Sequence, residues 1–203
     1  MQYQPSTHLL NSMPSRSARR NFLKTSAVWL ALPFGGSIAV AEEIKAISQP
    51  KIVGPNDGTC VWAMGIHVKV RVTSDDTAGA YSTFEDVVPP GAGPPPHIHS
   101  REDENMFVLE GELEANLGGK IHTVGAGTFI HMPKGVSHSF KNKTNKPARM
   151  LLTYTPAGFE KWFFEIGTPT TADATDHPIQ PTPGDIKRAV ASAITYGVTF
   201  VKS

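Results

Sequence analysis

Cysteine is nearly absent from this chain: Cys60 is the only one in 203 residues. One cysteine cannot form an internal disulfide, so the fold depends on its core alone. Neither sign of charge dominates, with 19 Lys and Arg against 18 Asp and Glu. Nucleic-acid binding, which calls for a basic stripe, is therefore not expected. Lys134, Lys141, Lys143, Lys146 and Arg149 do cluster, but around a predicted turn, where a solvated loop is the simpler reading. No apolar run is long enough to span a bilayer, because Pro33, Gly35 and Gly36 interrupt the best one. There is no internal repeat, so the length allows one domain with short appendages.

The N-terminus reads as a separate element. Arg19-Arg20-Asn21-Phe22-Leu23-Lys24 resembles a twin-arginine export signal, with Ala18 where Ser or Thr is more usual. The apolar stretch Ala27 to Leu32 follows, and Ala39-Val40-Ala41 fits an A-x-A cleavage site. The expectation is a signal over 1–41, removed by the twin-arginine machinery, with a periplasmic or extracellular product. A retained membrane anchor is the alternative. Cleavage would remove Arg16, Arg19, Arg20 and Lys24 and no acid, moving the formal charge from +1 to −3.

Beyond that point β signals predominate. Residues 42–58 read as an extended arm. From Ile66 to Val72, apolar β-branched residues alternate with His67, Lys69 and Arg71, which predicts a half-buried strand. Further strands are expected over 79–88, 105–109, 113–117, 121–124, 129–132, 137–142 and 148–154. Many short strands with glycine turns predict a sandwich or barrel. After Gly158 the period changes: Phe159, Trp162, Phe163 and Ile166 lie at helical spacing. Residues 168–183 read as loop, and Asp185 as the cap of a second helix through about Ser192.

The chemistry-bearing residues fall in this frame. His97 and His99 alternate, so in a strand they share a face. Glu104 follows the polar run Ser100 to Asp103, and His138 follows the turn Pro133-Lys134-Gly135. Three neutral imidazoles and a carboxylate suit one divalent first-row transition metal. Glu102 and Asp103 compete with Glu104 for the carboxylate role. His67, His122 and His131 read as surface or supporting histidines. By parity Met106, Val108 and Phe140 should line a substrate cavity. Phe159, Trp162 and Phe163 read as a helix packing face, with a substrate lid as the alternative.

Two long patterns carry a family resemblance. Gly91, His97-x-His99, Glu104 and Gly111 match the first motif of the cupin superfamily at every fixed position. Gly127, Pro133-x-Gly135, His138 and Asn142 match the second, and residues 112–126 between them resemble the compact spacing of microbial cupins. The resemblance implies an all-β fold, the cupin double-stranded β-helix or jelly-roll barrel, over about 59–160. The remainder, 161–203, would form short C-terminal helices. It further implies a metal on His97, His99, Glu104 and His138, with motif spacing selecting Glu104 over its neighbours, and a homodimer.

A looser resemblance is to quercetin 2,3-dioxygenase-like single-domain cupins, carried by Gly93-Pro94-Pro95-Pro96-His97, by Glu102-Asp103-Glu104 and by the C-terminal arrangement. It implies an oxygenase acting on a small aromatic or enolic molecule, with Glu104 as both ligand and catalytic base. Mn or Fe is favoured if the metal is loaded before export; Ni, Cu, Co and Zn remain open. A non-catalytic metal- or ligand-binding cupin and a small-acid decarboxylase are the alternatives. The decarboxylase would want a proton-donor carboxylate and a cationic clamp, neither plain in the sequence.

Overall fold

A computed structural model describes residues 49–201. The export signal read over 1–41, and part of the expected arm, lie outside the described residues. Twelve strands and two helices follow. They are β1 (Thr59–Ala63), β2 (Ile66–Val72), β3 (Ser82–Val88), β4 (His97–His99), β5 (Asp103–Glu110), β6 (Glu112–Leu117), β7 (Lys120–Gly125), β8 (Phe129–Met132), β9 (His138–Lys141), β10 (Ala148–Thr155), α1 (Glu160–Ile166), β11 (Thr168–Thr170), α2 (Pro183–Ala193) and β12 (Val198–Phe200). One sheet runs β11-β1-β2-β3-β10-β5-β8 and the other β12-β4-β9-β6-β7. Every pairing is antiparallel. This is the expected all-β jelly roll with short C-terminal helices.

The strands follow their two-residue period. On β3 the residues Ser82, Phe84, Asp86 and Val88 are buried while those between are partly exposed. On β10 Ala148, Met150, Leu152 and Tyr154 are buried in the same way. Alternation of this kind puts one face of each strand in the core. Phe84, Met106, Val108, Leu113, Met150 and Leu152 are almost wholly buried there. Gly93 shows why the approach to β4 needs glycine. A Cβ there would lie 2.1 Å from the carbonyl oxygen of Phe140, and φ is +138°.

Several expectations are corrected. The third strand starts at Ser82; Gly79 to Tyr81 belong to the turn before it. β2 is not half-buried: Ile66 through Val70 are buried on both faces. His67 is completely buried, with a ring nitrogen 2.9 Å from the Thr171 carbonyl and its ring edge against Trp62. The segment after β10 covers that outer face, which alternation within one strand could not reveal. Residues 168–183 are not all loop, since β11 pairs with β1. The last strand, β12, pairs with β4, so the C-terminal region adds a strand to each sheet as well as helices. Asp185 does not cap α2 by itself. Thr182 is the N-cap, and Asp185 is the third helical residue of a reciprocal capping box. Among the described residues, no helix is long and apolar enough to cross a membrane.

Candidate metal centre

The two sheets meet at the four motif residues. β4 carries His97 and His99 on its buried face, and its neighbour β9 places His138 directly opposite His97. β5, in the other sheet, contributes Glu104. All four side chains are buried, and one ligand atom from each lies within 4.8 Å of the others. His138 Nε2 is 3.1 Å from Glu104 Oε2, and His99 Nε2 is 3.5 Å from the same oxygen.

The tautomers are set by the backbone. His97 Nδ1 lies 3.0 Å from the carbonyl of Pro95, and His138 Nδ1 lies 3.0 Å from that of Val136. A carbonyl only accepts, so each Nδ1 carries the proton; His97 Nε2 is left with an inward lone pair, whereas His138 Nε2 either donates to Glu104 as the imidazolium or, with a metal bound, presents its lone pair to the ion. His99 Nε2 is buried with no hydrogen-bond partner, an expensive arrangement unless an ion occupies the centre. Its Nδ1 lies 3.4 Å from Glu102 Oε2. Glu102, a competitor of Glu104 by sequence, is 5% exposed and lies behind His99, in the manner of a carboxylate that orients a metal-binding imidazole. Asp103 does face outward, accepting a bond from the Lys134 amide. The donor set, the free inward nitrogen and the backing carboxylate all fit a divalent transition metal.

The same packing shapes the electrostatics. Burial pulls the His97 imidazole down to about 4, with the charge of Glu104 opposing. Burial also works against the charged forms of Glu104 and His138. Their mutual hydrogen bond outweighs it, lowering the carboxyl of Glu104 and raising the imidazole of His138.

A cavity opens beside these residues. Its walls include Ile66, Val68, Leu152, Phe159, Trp162 and Phe200, and His97, His99 and Glu104 border it. The enclosed part leaves about 50 Å³. That is less than the roughly 150 Å³ that holds a benzene. A ligand is therefore very small or extends through the open mouth. Phe140 borders this cavity. Met106 and Val108 do not; they share the inward face of Glu104 but are wholly buried in the core. Parity gives the face of a strand, not the depth at which a cavity ends. Phe159, Trp162 and Phe163 both pack and line: Phe159 lies edge-on to His99 at 4.6 Å between ring centroids. His122 and His131 are exposed, away from the site.

Asp86 and Tyr154 border the cavity and were not singled out in the sequence. Burial pushes both groups well above their ordinary values, Glu104's charge adding to it in each case. The signal for Asp86 was present: a lone carboxylate in the inward file Ser82, Phe84, Asp86, Val88.

Comparison with known proteins agrees with this architecture. Residues 84–154 match the family model described as Cupin domain. Over those residues the chain is similar to a cupin domain, and His97, His99, Glu104 and His138 could hold a metal there. It is 31% identical to germin-like protein subfamily 2 member 4 of Arabidopsis thaliana, over 53% of this chain and 50% of that protein. It is also 31% identical to quercetin 2,3-dioxygenase of Bacillus subtilis (strain 168), over 41% of this chain and 24% of that one. Among solved structures, the polyketide cyclase RemF from Streptomyces resistomycificus is 25% identical, with TM-score 0.47, covering 53% of this chain and 80% of that one. The chain spans half or less of the length of these two curated relatives.

Proposed function

We propose that the protein is an exported, metal-dependent cupin oxygenase acting on a small aromatic or enolic molecule. The observation that carries this reading is the placement of four buried ligand atoms within 4.8 Å beside an apolar, aromatic-walled cavity. His97, His99, Glu104 and His138 would hold the ion. When bound, a redox-capable divalent metal supplies Lewis acidity and electron exchange with dioxygen. Mn or Fe is the favoured occupant. The chain's own residues do the rest. Glu104 would take the proton of the substrate's enol hydroxyl. Glu102 holds the orientation of His99. Phe159, Trp162 and Phe163 exclude water and offer ring faces to a flat ligand. The similarity to a protein named quercetin 2,3-dioxygenase supports the oxygenase class.

Among the described residues no Lys or Arg borders the cavity, which disfavours a small diacid and so the decarboxylase alternative. Export by the twin-arginine pathway and homodimerisation belong to the same proposal. The edge strands β7 and β8 expose Ile121 and Phe129, at 64% and 63%, and such edges call for cover. Sedimentation of the purified protein at the mass of two chains is expected; a single-chain mass would discard the dimer.

The test joins metal analysis to oxygen uptake. Near one Mn or Fe per chain, with O₂ consumed when flavonols or small enols are added, is the expected result. Bound metal with no O₂ uptake across that panel would leave a binding protein. Release of CO₂ without net O₂ uptake would replace the oxygenase by a decarboxylase.

A further inference from the structure

Asp86 is a carboxyl group bordering the cavity that the candidate metal centre does not use. It is 2% exposed, and its Oδ1 has no hydrogen-bond partner. A buried carboxyl oxygen without a partner is destabilising, and cores do not keep one without cause. Its neighbours across the sheet, Val68 and Met150, are apolar and offer nothing to bond. Nor does Asp86 belong to the ligand cluster. In the register of the first sheet Glu104 pairs with Tyr154, whereas Asp86 pairs with Met150, four residues away on β10. Asp86 borders the same cavity as His97, His99 and Glu104. The cavity is therefore bordered by the Asp86 carboxyl on β3 as well as by the ligand cluster, the two apart in the register of the sheet.

We propose that Asp86 is a second anchor for the ligand, its carboxyl hydrogen-bonding a hydroxyl or carbonyl on the part of the molecule away from the metal-ligating side chains. This rests on the reading of the first site as a metal centre and adds a substrate class. The ligand is a compact, largely apolar or aromatic molecule with a chelating oxygen pair at one end and a neutral oxygen function at the other. Among the described residues no Lys or Arg borders the cavity to receive a carboxylate. Burial disfavours the charged form of Asp86 itself, and a neutral acid both donates to and accepts from such an oxygen.

Kojic acid and allomaltol test this directly. They share the same chelating hydroxy-ketone edge on a pyrone ring, and only kojic acid has a second hydroxyl, on the far side. Binding of each is measured by calorimetry to the Mn²⁺-loaded full chain, wild type, Asp86→Leu and Asp86→Asn, with Mn content determined for each. Wild type should prefer kojic acid by about five-fold or more, the scale of one hydrogen bond. Asp86→Leu should hold as much Mn, melt no lower than wild type, and bind the two compounds within about two-fold. Asp86→Asn keeps a polar group and should retain part of the preference. An equal preference in wild type and Asp86→Leu at equal Mn, or none in wild type, overturns the anchor and leaves the metal site standing. Wild type that holds no Mn and binds neither compound overturns the metal centre and the anchor together.

Discussion

At the scale of residues, identical-looking motif positions do different work. His97, His99, Glu104 and His138 converge on one point, whereas Asn142, the last residue of the second motif, faces away from chemistry. Its Nδ2 donates to the carbonyls of Val88 and Lys146, and its Oδ1 accepts from the amide and hydroxyl of Thr144. Asn142→Ala should therefore lower stability by about 2–4 kcal/mol, read by urea unfolding, because several buried groups lose their partners at once. Metal content per folded chain should not change. His97→Ala and His138→Ala should do the reverse: metal falls to a small fraction of wild type while circular dichroism keeps its β signature. Wild-type metal content in both variants would remove the site assignment.

At the scale of elements, the site depends on how strands are joined. β4 is three residues long and is held between β9 and β12, so its position rests on neighbours more than on itself. Gly93→Ala, on the approach to β4, forces a Cβ against the Phe140 carbonyl on β9. The expected result is a lower melting temperature together with weaker metal binding, since both histidine strands shift. The start of α1 is tied to the turn before β3 by Glu160, which accepts from the amides of Ser74 and Gly158 at 2.8 and 3.0 Å. Glu160→Ala should cost about 2–3 kcal/mol and loosen the helix that carries the aromatic cavity wall. Fluorescence of Trp162 would report the loosening. α2, capped by Thr182 and Asp185, should lose about 1 kcal/mol in Thr182→Ala.

At the scale of the whole molecule, pH sets stability through groups spread across the barrel. Glu85 is partly shielded and paired with Arg71 and Arg149. Burial acts to raise its carboxyl, but the two guanidinium groups outweigh burial and hold it below the ordinary value. Glu160 is lowered in the same sense by its bonds to Ser74 and Gly158, against burial. A carboxyl whose folded value is depressed stabilises the fold above its unfolded value and loses that contribution as pH falls. His97, held near 4 by burial, has the same sign, because the unfolded chain takes up its proton first. His138 has the opposite sign, its contribution being lost as pH rises through its raised value. The metal-free protein should accordingly melt at lower temperature as pH drops from about 6.5 to 4. In Glu85→Gln the drop below about 4.5 should be shallower. Adding metal should steepen the acid dependence, because protons displace it from imidazole. Scanning calorimetry across that range, with and without metal, checks all three.

Much of this molecule is written locally. The strand positions from β5 to β10 follow from alternation and glycine turns, and the four ligand candidates from two spaced motifs. A strand's period and a turn's backbone demands are properties of neighbouring residues, so a linear reading reaches them. The rest is decided by contacts between distant segments. Burial of His67 requires the chain near Thr171 to fold over β2. Glu102 leaves solvent only because it lies behind His99 in a closed site. The depth of the cavity, which leaves Met106 and Val108 in the core and brings Phe159 to His99, depends on where α1 packs. So does the recruitment of Asp86 to a wall shared with the metal centre, which no spacing along β3 expresses. The sequence alone determined the sheet-forming pattern and the candidate ligand set, both encoded in short-range order. The tertiary structure alone decided which polar groups lie in one low-dielectric enclosure, because burial belongs to the assembled barrel and not to any segment of it.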